Sequence, residues 1–235
     1  MRKLKNNKGV GGKKGILPPH RRRRNVLAVG AHADDVEIGC GGTVALHVRN
    51  GDNVIILIMA ESSYTYYDGT VLRTKEEGEI EERNAAKVLG AKLINLGFKT
   101  KEVPYSRESV EAINEIIDKY GIDIIYTHWY HDTHQDHQRT TQSVLSAGRY
   151  VKNILMYEPE YPAGRSYLGF RNQYYVDITS TFDIKMEALK QHKSQIKKYG
   201  DNFLEAVEAR ARHRGYEIGS KYAECFEVVR LLGET

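Results

Sequence analysis

Short apolar runs alternate along the chain with longer segments in which apolar residues recur every three or four positions. Runs rich in branched residues predict strands buried on both faces, whereas the three-to-four-residue period predicts helices. The predicted strands are residues 26–29, 54–60, 93–96, 122–127 and 154–157, and the predicted helices are residues 41–50, 74–89, 107–120 and a segment ending near residue 150. Because strand and helix alternate at least four times, the pattern favours an α/β fold with a mainly parallel sheet covered by helices on both faces.

The period weakens after residue 157. Residues 158–173 contain proline, glycine, arginine and tyrosine without regular spacing, which is typical of a long loop near a binding site. Beyond this loop the pattern predicts an edge strand at 174–178, helices at 182–199 and 203–213, and a last strand at 225–232.

Length and composition fit one globular domain, with 235 residues of which 40% are hydrophobic. The longest apolar run, residues 54–60, is far shorter than the ~20 residues of a membrane-spanning helix. The N-terminus is basic, but no apolar stretch follows it as in a secretory signal. Two cysteines, Cys40 and Cys225, are too few for a disulfide framework. These features predict a cytoplasmic protein with no membrane span.

The positive charge is concentrated at the N-terminus. Residues 1–25 hold ten Lys and Arg residues and no acidic residue, whereas the rest of the chain has 25 basic and 31 acidic residues. We therefore predict a basic, disordered tail over residues 1–24 and a single domain over residues 25–235. The tail is either an arm that contacts a polyanion such as RNA, a phosphate-rich glycan or an anionic membrane surface, or simply a solvated extension.

Two polar stretches follow the first and fourth predicted strands. The first is His32-Ala33-Asp34-Asp35-Val36-Glu37, and the second runs from His128 to His137. Ligands of open α/β sheets collect at the carboxyl ends of the strands, so both stretches are expected at the same edge of the sheet.

Imidazole and carboxylate groups together are typical ligands of zinc and similar ions. His32 and Asp35 stand three residues apart, as do His134 and His137, so each pair can face one ion. Two histidines and one aspartate leave a coordination position for water, whose pKa zinc lowers to about 7. A free carboxylate beside that water can act as general base, and a second histidine can polarise a carbonyl or protonate an amine.

Both stretches resemble signatures of the PIG-L/LmbE family of zinc-dependent N-deacetylases. Residues 32–37 are similar to its AHPDD(x)E motif, and His134-Gln135-Asp136-His137 is similar to its HPDH motif. Weaker similarities lie at residues 39–43, 85–90, 192–195 and 222–227, so the resemblance extends from about residue 25 to the C-terminus. It implies a Rossmann-like α/β fold, a three-layer sandwich with a mainly parallel central sheet.

The resemblance also implies a role for each motif residue. It assigns His32, Asp35 and His137 as zinc ligands, Asp34 as the general base, and His134 as the acid or carbonyl polariser. Asp136 is expected to hold His134 charged or in the required tautomer. The implied substrate is a small N-acetylated amino sugar or a glycoconjugate of the N-acetylglucosamine type, and Fe²⁺ or Co²⁺ can replace zinc with these ligands. The oligomeric state does not follow from the sequence.

The chain departs from the family pattern at a few positions. Ala33 and Gln135 replace the usual prolines, and Gly78 stands near the place of an arginine, which Arg73 or Arg83 can substitute. Glu37 either supports the site or caps a helix. We expect His128 and His131 at the periphery of the site. Trp129 and Tyr130 either line a cleft or pack a loop.

Two other functions remain open at this stage. One is an amidase that acts on another N-acyl conjugate with the same metal site. The other is a non-catalytic carbohydrate- or RNA-binding module, in which the metal is structural and the basic tail makes the contact. Retention of Asp34 beside an open coordination position favours an enzyme over the binding module.

Overall fold

The computed structural model describes residues 22–160, 164–200 and 202–233. The strands are β1 (Asn25–Gly30), β2 (Asn53–Ala60), β3 (Tyr64–Thr65), β4 (Val71–Arg73), β5 (Lys92–Phe98), β6 (Ile124–Thr127), β7 (Asn153–Tyr157), β8 (Tyr174–Asp177) and β9 (Ala223–Arg230). The helices are α1 (Asp35–Arg49), α2 (Lys75–Leu89), α3 (Arg107–Tyr120), α4 (Gln135–Ala147), α5 (Phe182–Leu189), α6 (Lys193–Tyr199) and α7 (Asn202–Ile218). Most of the predicted tail, residues 1–24, lies outside the described ranges, so its disorder and its polyanion contacts stay predictions.

Seven strands form one sheet in the order β5-β2-β1-β6-β7-β9-β8. Strands β5, β2, β1, β6 and β7 run parallel to one another, and β9 is antiparallel to both β7 and β8. The mainly parallel sheet and the edge position of β8 are confirmed. The chain runs outward from β1 through β2 to β5 and then returns to place β6 on the other side of β1. This reversal leaves a crevice between β1 and β6 at their carboxyl ends, where ligands of such sheets bind.

Helices pack on both faces of the sheet, so the fold is a three-layer sandwich with one apolar core on each side of the sheet. On one face the core includes Val36 and Val44 of α1, Leu89 of α2 and Ala188 of α5. On the other face the core includes Ile113 and Ile116 of α3 and Val144 and Ala147 of α4. Helix boundaries follow the sequence signals closely for α2 and α3, whose first turns have capping boxes and whose ends have a left-handed glycine. None of the described helices combines the length and the apolar character that a membrane crossing needs.

Two local predictions are wrong, and one element was not predicted. Helix α1 begins at Asp35 rather than residue 41, because residues 35–38 alternate polar and apolar side chains and lack the helical period. The predicted helix 182–199 is two helices, α5 and α6, separated around His192. The β3–β4 hairpin was not expected, since its two strands have only two and three residues.

Helix α1 is broken at Cys40, whose backbone torsions are not helical (φ −148°, ψ 21°). A break in a buried helix frees peptide groups that must find other partners. The Glu224 carboxylate accepts the N–H groups of Gly42 (2.9 Å) and Thr43 (2.7 Å), and the Lys185 ammonium donates to the Ile38 carbonyl (2.7 Å). These two buried side chains also pair with each other at 2.6 Å. The pair therefore holds the two halves of α1 at a fixed angle.

Glu224→Gln is expected to lower the free energy of unfolding by about 3–5 kcal/mol, because it leaves the Lys185 ammonium buried without a counter-charge. Chemical denaturation monitored by circular dichroism measures this loss. Glu187→Gln is the matched control, since Glu187 lies on the surface of α5 and pairs with exposed Lys190. Equal midpoints for the two variants would contradict the role of the buried pair.

Candidate active site

The two polar stretches meet in the crevice between β1 and β6, as their places after these strands predict. Residues 31–35 turn from β1 into α1, and residues 128–137 lead from β6 into α4. Because β1 and β6 are neighbours in the sheet, histidines of one stretch contact those of the other. The ring centroids of His32 lie 4.9 Å from His134 and 5.4 Å from His137.

The turn after β1 points two neighbouring aspartates in different directions. Asp34 has a left-handed backbone (φ 115°), a strained state for a residue that is not glycine. The turn is fixed by Asp35, whose Oδ2 accepts the N–H of His32 at 2.7 Å. Asp34 occupies the N-cap position of α1, yet its side chain makes no capping hydrogen bond. Its carboxylate instead lines the cavity described below.

The Asp35 carboxylate is enclosed by three imidazoles. Its Oδ2 lies 3.5 Å from Nδ1 of His32 and 3.1 Å from Nε2 of His128, and its Oδ1 lies 3.4 Å from Nε2 of His137. Two ligand atoms of a tetrahedral zinc ion are separated by about 3.3 Å. The separations from Asp35 to His32 and His137 therefore suit one shared ion.

Both of these histidines contact a second carboxylate through the ring nitrogen that faces away from Asp35. Nε2 of His32 lies 2.9 Å from Oδ2 of Asp136, and Nδ1 of His137 lies 2.9 Å from Oδ2 of Asp132. Carboxylates in this place orient metal-binding histidines and raise their basicity. The donor set thus fits a divalent metal ion, with His32, Asp35 and His137 as its candidate ligands.

Asp136 does not contact the His134 ring through its carboxylate, contrary to the expectation from the sequence. Its two oxygens accept the N–H groups of Lys101 (2.7 Å) and Val103 (3.2 Å) besides contacting His32. Because Asp136 lies in the first turn of α4 and is fully buried, its carboxylate points back across the site to the β5 side. Asp132, which sequence reasoning missed, holds His137 instead.

His128 is central, so its predicted peripheral place is wrong. It is buried and stacks on the His137 ring with centroids 3.9 Å apart. Its Nε2 accepts the N–H of Ala31 at 2.9 Å, which uses the lone pair that a metal would need. Asp35, His128 and His137 form one geometrically possible ligand group, and His32, His134 and His137 form another. His131 packs against Trp129 and does not line the cavity.

His134 caps α4 through its ring. Its Nδ1 accepts the N–H of Asp136 at 3.2 Å, so this nitrogen carries no proton and the proton of the neutral ring is on Nε2. Burial, with nearby His137 and His32, lowers the pKa of His134 to about 4. A neutral His134 at the cavity wall is therefore a hydrogen-bond donor through Nε2.

The two aspartates of the turn differ in acidity. Burial and the charge of Asp35 raise the pKa of Asp34 to about 6, against the opposing influence of His192 and Arg73. Burial would also raise the pKa of Asp35, but the adjacent His137 and His128 outweigh it and lower this pKa. Asp34 is accordingly the more basic carboxylate of the two.

A cavity of about 680 Å³ opens above these residues. Its aromatic lining consists of Tyr64, Tyr157, Tyr199 and Phe203. Trp129 is not part of it, because this side chain is buried and donates to Oε2 of Glu227 at 3.1 Å. Of the two aromatic residues flanking the second motif, Trp129 packs the structure and Tyr130 is exposed, and the cleft aromatics come mainly from β3, α6 and α7.

Arg73, rather than Arg83, reaches the cavity. Its side chain is buried, 3.7 Å from Oε2 of Glu81, whereas Arg83 is exposed on α2 and pairs with Glu79. Position 78 has no room for any side chain, because a Cβ there would lie 2.1 Å from the Ser62 carbonyl oxygen. The β3–β4 hairpin thus supplies the arginine that α2 lacks.

A polar group lies behind Asp34. Glu37 is buried in α1 with its Oε2 at 3.6 Å from Nε2 of His192, so it lies beside the site and does not cap a helix end. His192 is also fully buried; burial acts to lower its pKa, but Glu37, with a smaller contribution from the charge of Asp34, raises it. The sequence signal for this group was the weak similarity at residues 192–195.

Comparisons with known proteins agree with this geometry. Residues 27–148 match the family model PIG-L, described as GlcNAc-PI de-N-acetylase. The uncharacterized deacetylase YaiS of Escherichia coli (strain K12) is 31% identical over 187 residues, which cover 76% of this chain and 96% of that protein. The diacetylchitobiose deacetylase of Thermococcus kodakarensis is 30% identical over 233 residues, covering 89% of this chain and 84% of the relative.

A solved structure extends the agreement to the fold. The N,N'-diacetylchitobiose deacetylase of Pyrococcus horikoshii, in complex with its inhibitor MPG, superposes with a TM-score of 0.71 at 25% identity. The match covers 88% of this chain and 84% of the other. The α/β architecture predicted from the sequence is thereby confirmed.

Asp132→Asn is expected to weaken divalent-metal binding by about 10- to 100-fold, because the charged partner of the His137 ring is lost. Competition with a chromogenic chelator for Zn²⁺ measures the affinity. Asp118→Asn, an exposed position on α3, serves as the control and should bind as the wild type does. Unchanged affinity in Asp132→Asn would contradict the role of Asp132 in supporting His137.

Proposed function

This chain belongs to the PIG-L family, and we propose that it is a zinc-dependent N-deacetylase that removes the acetyl group from an N-acetylglucosamine-type sugar or glycoconjugate. Its deacetylase relatives support an amide hydrolase of this kind. The observation that carries the proposal is the contrast between two adjacent carboxylates. Asp35 is enclosed by imidazoles, whereas Asp34 faces the cavity and has the raised pKa of a base.

The proposed ligands are His32, Asp35 and His137, and Fe²⁺ or Co²⁺ also suits this donor set. A bound ion of this kind would lower the pKa of water, so that a nucleophile is present near neutral pH, and would polarise the substrate carbonyl. Asp136 and Asp132 position the two histidines through their outer nitrogens. Their contribution is to fix ring orientation, so they act as positioning residues.

Asp34 takes the proton from the attacking water at its carboxylate. His134 donates from Nε2 to the acyl oxygen as negative charge develops there, which is where a fixed donor contributes most. The C–N bond then breaks, the amine leaves with the proton that Asp34 accepted, and the products are acetate and the free amino sugar. The neutral state of His134 supports a polarising role rather than that of a charged acid.

The two cysteines are both buried and free. Free thiols persist in a reducing compartment, which supports the proposal that the protein acts in the cytoplasm.

Release of the free amine across a panel of N-acylated compounds tests the proposed reaction. We expect turnover of at least one N-acetylated amino sugar, its loss after chelation, and its return when Zn²⁺ is restored. An N-butyryl analogue and an unrelated N-acetyl amino acid separate a sugar deacetylase from a broader amidase. A metal-loaded protein that releases no acetate from any N-acetyl sugar would refute the proposal.

Asp34→Asn and Asp35→Asn form a matched pair that separates chemistry from metal binding. Asparagine tolerates the left-handed backbone at position 34, so the turn should persist. Asp34→Asn is expected to keep its metal and lose about 10²- to 10⁴-fold in turnover, the usual contribution of a general base. Asp35→Asn is expected to lose metal and activity together. Metal content by elemental analysis and kcat by acetate release give the result, and loss of zinc in Asp34→Asn would reverse the assignment.

A further inference from the structure

Two lysines stand on one wall of the cavity, around the ring of Tyr64. The ammonium of Lys198, in α6, lies 4.2 Å from the centroid of this ring, and that of Lys101, after β5, lies 5.1 Å from it. All three residues line the cavity above the candidate metal centre. A negatively charged group that enters over Tyr64 is therefore attracted by both ammonium groups.

Neutral groups hold both lysines in place. Lys101 donates to the carbonyl of Thr65 at 2.7 Å, and Lys198 donates to the hydroxyl of Tyr199 at 2.8 Å. Within the described ranges, neither ammonium has a carboxylate at ion-pair distance. Carbonyl, hydroxyl and ring contacts restrain an ammonium without neutralising it. Both positive charges thus remain available to a ligand.

The cavity wall across from Tyr64 carries carboxylates whose charges are paired. Its carboxylates, Glu158 and Glu160, are each paired with an arginine of α7: Arg214 binds Glu158, and Arg210 binds Glu160 at 2.5 Å. These acidic residues line the same cavity but carry compensated charge. The unpaired charge away from the catalytic aspartates is therefore positive and lies on the side of Tyr64.

The backbone of Lys101 connects this wall to the catalytic residues. Lys101 has a left-handed conformation (φ 70°), and Asp34 is the other described residue besides glycine with a positive φ. The Asp136 carboxylate stabilises this conformation by accepting the N–H of Lys101 at 2.7 Å. The same Asp136 oxygen contacts Nε2 of His32, so the Lys101 backbone lies next to the carboxylate that positions a candidate metal ligand.

We propose that Lys101 and Lys198 form a subsite for an anionic substituent, so that the substrate is an N-acetylated amino sugar that carries a phosphate or carboxylate on its ring. This inference rests on the proposed deacetylase function for the reaction, but the charge preference of the cavity is a separate property. Phosphate and carboxylate share the chemistry that two unpaired ammonium groups recognise.

The first experiment compares kcat/KM for neutral N-acetylglucosamine with three charged probes: its 1-phosphate, its 6-phosphate and the ring-linked carboxylate of N-acetylmuramic acid. We expect at least one charged probe to be preferred by about tenfold or more, since hydrogen bonds to charged groups are the strong ones. The preference should fall as ionic strength rises. The phosphate and carboxylate arms identify which anion the subsite takes, and no preference for any charged probe would overturn the proposal.

The second experiment uses the double variant Lys101→Gln/Lys198→Gln. The ratio of kcat/KM between the preferred charged probe and the neutral sugar should fall by about tenfold or more. The double arginine variant should restore the ratio, because it returns both charges. Lys197→Gln is the control, since Lys197 is exposed on the same helix and does not line the cavity. An undiminished ratio in the double glutamine variant would overturn the proposal.

A binding measurement separates this inference from the proposed reaction. Calorimetry with glucosamine 6-phosphate and with glucosamine, on the zinc-loaded protein, needs no turnover. If the phosphate tightens binding in the wild type and not in the double glutamine variant, the subsite stands even where no acetyl sugar is hydrolysed. If neutral sugars are deacetylated and neither the phosphates nor the carboxylate affects binding or kcat/KM, the reaction stands and the subsite is refuted.

Discussion

The buried carboxylate of Asp35 is the group on which the rest of the site depends. A carboxylate removed from water must be compensated by charge or by hydrogen bonds. Here the compensation comes from His32 on its own turn and from His137 on the stretch after β6. This demand fixes the two stretches against each other across the crevice. It also leaves the neighbouring Asp34, with no such partners, as the carboxylate that faces the cavity.

The place of that turn is set by the way α1 approaches the sheet. A Cβ at Gly39 would lie 2.2 Å from the Tyr157 ring, so α1 can pack against this ring only with glycine at position 39. The break at Cys40 then lets the second half follow the sheet, and Lys185 with Glu224 satisfies the peptide groups that the break frees. The packing of Gly39 on Tyr157 and the buried pair of Lys185 and Glu224 therefore help to determine where Asp34 and Asp35 point.

The motifs predicted which residues gather at the site but not which of them touch. His32, Asp34, Asp35, His134 and His137 all lie at the cavity, because strand order alone brings two loop sequences to one edge. The partner of Asp136 and the burial of His128 depend on side-chain directions in a turn, which residue spacing does not specify. The hairpin that carries Tyr64 and Arg73 has strands too short for a periodic signal. Because the sequence did not predict this hairpin, it did not predict that Lys101 and Lys198 meet around Tyr64 at the cavity wall either.

The division of labour around Asp35 is tested most directly by a crystal structure of the zinc-loaded protein with anomalous scattering data at the zinc edge. One strong peak is expected at about 2.0–2.2 Å from Nδ1 of His32, an oxygen of Asp35 and Nε2 of His137. Asp34 and His134 are expected to face the remaining coordination position without binding the ion. A peak bound by Asp35, His128 and His137, or by His32, His134 and His137 without Asp35, would contradict this division of labour.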